Sequence, residues 1–182
     1  MRVLVALSLV VVSVALCTAS AVWARPSAGM PPGGAVRVFA TQPNGPAGTI
    51  VITGAIGDYG KTLQMSKNGK PNPNGNYVEM TLKKGTFEVN ATTLNAKIAK
   101  APGTFSKATC SFSATESAPV TLFNGTGLYK GISGTLNVTL NFAGIGPRYT
   151  SGTHKGQCIK SNSAKLLAQY GSVIGTGTVE FG

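Results

Sequence analysis

The sequence predicts an all-β domain, an antiparallel β-barrel of about eight strands, with a β-sandwich as the alternative. Three observations carry this. Short runs in which apolar and polar residues alternate recur along the chain, the period of a half-buried strand. Clusters of Gly, Asn and Pro punctuate them. The chain has 24 glycines, and several (Gly134, Gly175, Gly177) fall inside strand patterns. Glycine there marks a bend or bulge, and curling a sheet into closure needs such bends.

The elements follow in order. Arg2 precedes an apolar run from Val3 to Leu16, and small residues gather around Ala19-Ser20-Ala21 and Val22-Trp23-Ala24. This is the pattern of a secretory signal over residues 1–24, cleaved after Ala21 or Ala24. The run is short of the roughly 20 residues a spanning helix needs, so no transmembrane anchor is expected after cleavage. Leu16 before Cys17 departs from a lipid-attachment motif. Export places the protein outside the cytosol: secreted, periplasmic or at the cell surface. Residues 25–48 hold half of the chain's 10 prolines and read as a flexible lead-in containing one possible short edge strand, Val36–Phe39. The barrel domain is expected over 49–182.

Within it, Thr49–Thr53 is a β-branched run, and Ser66–Asn76 is a loop rich in Asn-Gly and Pro. Tyr77–Leu82, Phe87–Ala91, Cys110–Thr115 and Val120–Phe123 read as strands. The clearest is Leu136, Val138, Leu140 and Phe142 set against Asn137, Thr139 and Asn141, and Val173–Phe181 closes the chain. Residues 161–170 alone hint at a short helix, through Ala164, Leu166, Leu167 and Ala168.

Charge and cysteines narrow the setting. The chain has 16 Lys+Arg against 5 Asp+Glu. Loss of Arg2 with the signal leaves a net charge of +10, a surface that attracts acidic lipids or polymers. The lysines are scattered rather than run together, so no nucleic-acid partner is expected. Cys17 leaves with the signal. Cys110 and Cys158 remain, an even count that reads as one disulfide in an oxidising compartment. With two cysteines and one histidine, no metal site is expected.

Two glycine motifs invite nucleotide readings and fail. Gly54-Ala-Ile-Gly-Asp-Tyr-Gly60-Lys61-Thr62 carries Ala at 55, where a phosphate loop needs Gly, and Pro71 arrives before a helix has room. It reads as a hairpin turn. Gly125-Thr-Gly127-Leu-Tyr129-Lys130 has Lys130 where a dinucleotide fingerprint needs its third glycine. It reads as a turn with Tyr129 packed on a neighbour. No cofactor is expected.

The longer stretch Phe123-Asn-Gly-Thr-Gly127-Leu-Tyr129-Lys-Gly131-Ile-Ser-Gly134-Thr-Leu136 resembles the glycine-punctuated strand pair of allene oxide cyclase-like and dirigent-like barrels. It covers about a dozen residues. The resemblance implies an eight-stranded antiparallel barrel with an apolar cavity, often a dimer or trimer, acting in cyclisation or guided coupling of lipophilic small molecules. None of that family's catalytic residues can be placed on this chain.

Candidate chemistry is sparse. The carboxylates are Asp58, Glu79, Glu88, Glu116 and Glu180. A pair of them suits glycoside hydrolysis only if folding brings two together. Glu88 lies on a polar strand face, and Asp58 sits where turns use Asp for local hydrogen bonds. The lone histidine, His154, lies in a basic polar loop, and there is no Gly-x-Ser-x-Gly elbow. Arg148, Tyr149, His154 and Lys155, tethered near Cys158, form a candidate anion-binding cluster, with Tyr129 a further candidate ligand contact. Asn90, Asn124 and Asn137 each begin an Asn-x-Thr acceptor motif. The first expectation is an exported, non-enzymatic barrel that binds a small apolar ligand or a surface component. A cyclase- or dirigent-like enzyme, and electrostatic adhesion to acidic cell-surface polymers, are the alternatives.

Overall fold

A computed structural model describes residues 33–42, 46–161 and 164–182. The expected signal, 1–24, lies outside the described residues. Nine strands form in chain order: β1 (Gly34–Gln42), β2 (Ala47–Gly54), β3 (Asp58–Met65), β4 (Tyr77–Leu82), β5 (Thr86–Asn90), β6 (Thr104–Ser106), β7 (Ser111–Phe123), β8 (Ser133–Ile145) and β9 (Ala168–Glu180). Among the described residues one helix, α1 (Thr92–Ile98), lies between β5 and β6, and a single 3₁₀ turn spans Gly127–Tyr129.

The sheet runs β5-β4-β3-β2-β1-β9-β8-β7-β6. It closes because β5 also pairs with the far part of β7, Glu88 opposite Phe123 and Asn90 opposite Thr121. Eight antiparallel strands thus form a barrel, and β6 stays outside, laid on the near part of β7 from Thr104–Ser113 to Ser106–Ser111. Closure removes the edges that an open sheet would expose.

Alternation decides which side chains enter. On β8, Leu136 and Val138 are buried with Leu140 packed beside them, while Asn137 and Asn141 are exposed. Val36 and Val38 of β1, Ile50 and Ile52 of β2, and Val120 and Leu122 of β7 complete the inner wall. Gly175 and Gly177 of β9 face β8 across the ladder. A Cβ at Gly175 would stand 2.6 Å from a Val138 methyl, and one at Gly177 would stand 2.8 Å from a Leu136 methyl. Their absent side chains therefore make room for the core residues opposite.

Three expectations change. The barrel begins at Gly34 rather than 49. β1 lies inside the expected lead-in but is no edge, since it is paired on one side with β2 and on the other with β9 over its whole length. Ala47 and Gly48 of the lead-in already belong to β2, and 25–32 and 43–45 lie outside the described residues. Residues 161–170 contain no helix among those described. Ala168, Gln169 and Tyr170 instead pair with Ile145, Gly144 and Ala143, because a ladder to β8 outweighs the propensity of a few helix formers. The helix stands at 92–98, where the Asn90 Oδ1 accepts hydrogen bonds from the Thr92 amide (3.0 Å) and hydroxyl (2.7 Å) and Leu94 enters the core. Finally, the runs read as separate strands at 110–115 and 120–123 are one continuous strand, β7.

The barrel has two unlike ends. One gathers the β2–β3 and β4–β5 turns, the β7–β8 connection and the C-terminus. The other gathers the β3–β4 loop, the long β5–β7 connection with α1 and β6, and the β8–β9 loop.

Candidate functional site

The first end is shut by the glycine-punctuated segment. The backbone of Gly125–Tyr129 folds so tightly that a Cβ on Gly125 would meet the Tyr129 carbonyl oxygen at 1.6 Å. Gly127 takes φ +58°, a left-handed conformation that costs other residues steric strain. The turn drives Tyr129 inward until it is fully buried. Its ring stands edge-on to Phe87, centroids 5.5 Å apart, and lies against Phe181 at 6.3 Å.

A buried phenol needs a partner, and Asp58 supplies it. The Tyr129 hydroxyl donates to Asp58 Oδ2 at 2.5 Å. The same carboxylate accepts from the Tyr59 amide at 2.8 Å and the Lys84 amide at 3.0 Å. Burial pushes the Asp58 carboxyl upward, but the hydrogen bonds from Tyr129, Tyr59 and Lys84 outweigh it and hold it below its ordinary 3.8. Burial, then the adjoining carboxylate, drives the Tyr129 phenol well above its ordinary 10.0. The pair is therefore a charged hydrogen-bonded latch across the shut end.

Above this plug the interior is hollow. A cavity of about 820 Å³ runs from Ile56 and Phe87 to the open end, within the size range of small-ligand sites. Its walls are aliphatic: Val36, Val38, Ile50 and Ile52 from one side, Val120, Leu122, Leu136 and Val138 from the other. Among the described residues, no Asp, Glu, His, Lys, Arg, Cys or Tyr lines it. Its polar groups are neutral and stand at or near the mouth, except Thr62, buried in the wall.

Those mouth groups form a hydrogen-bonded relay. Gln42 Nε2 donates to Gln64 Oε1 at 3.2 Å, and Gln64 Nε2 donates to the Gly75 carbonyl at 2.7 Å. From α1, Asn95 Nδ2 donates to the same carbonyl at 3.0 Å and to Asn76 Oδ1 at 3.1 Å. The relay ties β1, β3, the β3–β4 loop and α1 into one half of the rim. Phe105, Phe112, Phe142 and Gln169 furnish the other half.

The expected site residues are not gathered in one place. Tyr129 lies beneath the cavity floor, outside its lining, because burial and the bond to Asp58 hold it in the plug. Arg148, Tyr149, His154 and Lys155 lie beyond the other end of β8, all exposed, so the length of that strand separates them from Tyr129. The Arg148 guanidinium is occupied, donating to the carbonyls of Gly156 (2.5 Å) and Ala108 (2.6 Å). It clamps the loop rather than presenting a fork to an anion. Tyr149 and His154 rings lie 5.6 Å apart, and His154 Nδ1 is 3.3 Å from Gln157 Oε1. Cys110 and Cys158 form the expected disulfide, with Cα atoms 5.5 Å apart, which pins this loop to the start of β7.

Folding does bring two carboxylates together. Glu79 and Glu88 face each other across β4 and β5, on the outer wall, where Thr81 and Asn124 side chains donate to them. Neither lines the cavity. No cluster of three or more metal-ligating side chains occurs among the described residues. None of the helices there is long and apolar enough to cross a membrane. The rim amides and the Asp58 latch escaped the sequence reading. Asn and Gln in loops carry no local signature, and the partner of Asp58 lies 71 residues away.

No protein-family model matches the chain, and no curated protein or solved structure does either.

Proposed function

We propose that this protein is an exported binding barrel that holds one small, uncharged lipophile. The observation that carries the reading is the cavity of about 820 Å³ whose lining, among the described residues, has no titratable side chain. Burying apolar ligand surface there gains roughly 25 cal/mol per Å². A charged group in such a wall would lose its hydration without a counter-charge. The rim amides suit a neutral hydrogen-bonding group, an alcohol, ester or carbonyl, at the ligand's outer end. Among the described residues the walls offer no titratable group for acid–base catalysis, which favours binding over turnover. Export is supported by the signal-like first 24 residues and by the disulfide.

Native mass spectrometry of the purified protein, with displacement of an environment-sensitive lipophilic dye, tests this. A co-purifying neutral lipophile, or displacement by a long-chain alcohol in preference to the matching carboxylate, is expected. An empty barrel that takes up no dye rejects the reading.

A second reading follows the resemblance of Phe123–Leu136 to cyclase- and dirigent-like barrels. In it the same cavity steers a reactive lipophile into one ring closure or coupling by shape alone. The close fit of this segment to a barrel plug favours it. Its mark would be a single enantiomer formed from a substrate that gives a racemate in buffer. A racemate with the protein present rejects it.

A further inference from the structure

The charges are sorted by end. The β3–β4 loop carries Lys67 and Lys70, and the β5–β7 connection carries Lys97, Lys100 and Lys107. The β8–β9 loop adds Arg148, Lys155, Lys160 and Lys165. These three connections, all at the open end, hold nine of the 14 cationic side chains among the described residues, every one exposed, and no carboxylate. The shut end is mixed, with Lys83, Lys84 and Lys130 beside Asp58 and Glu180. Glu79, Glu88 and Glu116 stand on strands.

Apolar side chains are exposed at that same open end. Leu167 is 71 % exposed, the most of any large apolar residue among those described, and Tyr170, Phe105, Ile145 and Tyr149 are between 41 % and 50 % exposed. At the shut end one described large apolar residue is exposed to this degree, Tyr59 at 57 % at the start of β3, with Lys83 Nζ 5.5 Å from its ring centre. Cation and ring are interleaved: Lys160 Nζ lies 5.7 Å from the centre of the Phe105 ring, and the Leu167 amide bonds the Ile145 carbonyl at 2.9 Å. Phe105 also lines the cavity mouth.

From this we infer that the open end docks on an anionic lipid bilayer, with the cavity mouth turned toward the membrane. Lysines around a protruding apolar rim match a surface that is negative outside and greasy beneath. A purely polyanionic polymer would be met by the cations but would leave Leu167 and Tyr170 without a favourable place. Docked this way, a lipophile would pass between bilayer and barrel without crossing water. The orientation stands on charge and exposure, whether or not the cavity is filled.

Vesicle co-sedimentation tests it, using the full mature chain. Phosphatidylcholine vesicles with about 30 % phosphatidylglycerol should bind the protein, and pure phosphatidylcholine should bind it far more weakly. Binding should fall as salt rises from about 0.05 to about 0.5 M. K155Q/K165Q at the open end should weaken binding about fivefold per lysine, and K83Q/K130Q at the shut end, which removes the same charge, should leave it near the parent. L167S/Y170S should weaken vesicle binding by about tenfold while leaving binding to soluble polyphosphate unchanged. All variants are compared at matched thermal stability. Equal losses from the two lysine pairs would overturn the orientation. Polyphosphate binding without vesicle binding would assign the charge to a polymer instead. Dye uptake by the barrel in solution is read separately, so ligand binding and docking fail independently.

Discussion

The Tyr129 hydroxyl donates to the Asp58 carboxylate at 2.5 Å, joining residues 71 apart in sequence. This bond sits between the β2–β3 turn and the β7–β8 connection, so it fastens two connections of the shut end to each other. The latch lies at the shut end, where Tyr129 also packs against Phe87 and Phe181.

Tyr129→Phe keeps the ring packing on Phe87 and removes only the hydroxyl. A buried carboxylate is then left one donor short. The loss should be about 2 kcal/mol of stability, read by urea denaturation. Asp58→Asn should cost at least as much, because an amide oxygen accepts less strongly from the Tyr59 and Lys84 amides. If both variants unfold at the parental urea midpoint, the latch contributes nothing to holding the end shut.

Stability should depend on pH at both extremes. The Asp58 carboxyl titrates lower in the folded protein than its ordinary 3.8. Its contribution is therefore complete above that value and is lost as pH falls below about 4. The Tyr129 phenol titrates higher in the folded protein than its ordinary 10.0. Its contribution is complete below pH 10 and is lost as pH rises beyond it. Melting temperatures measured across pH should show both declines, and Asp58→Asn should flatten the acid one. An unchanged acid limb in that variant would assign acid unfolding to other groups.

Reduction should loosen the open end first. The Cys110–Cys158 bridge closes a loop of 48 residues, a restriction of the unfolded chain of about 4 kcal/mol. Reductant should lower the melting temperature by about 10 °C. Arg148→Ala should cost about 1 kcal/mol, because the guanidinium bonds two backbone carbonyls. Arg148→Lys should restore little, since one ammonium does not reproduce the planar fork. Amide exchange over 147–160 is the sensitive measurement, and full protection in the reduced protein would contradict the tether.

Filling the cavity should separate stability from binding. Val38 is buried and lines the hollow, so Val38→Phe projects its ring into the cavity. The melting temperature should hold or rise, whereas an overpacked core would lose stability. Affinity for a lipophilic dye should fall about tenfold or more. A destabilised protein with unchanged dye affinity would place the dye elsewhere, for example on the outer row of Phe39, Val51 and Ile174.

The sequence by itself determined the strand class, the inward residues of β8 and the single disulfide. It also held the tight turn that packs Tyr129 against a neighbour. Each is a local matter: a period of two, a pair of cysteines, a glycine where no Cβ fits. It also led to a helix at 161–170, where β8 offers a ladder that imposes extended backbone. Only the tertiary structure decided that β5 meets β7, that Asp58 meets Tyr129, and that most of the lysines scattered along the chain collect at one end. Those relations depend on the register of eight strands around a closed wall. Register is set by contacts between residues far apart in the chain, and local alternation reports only which face a side chain takes.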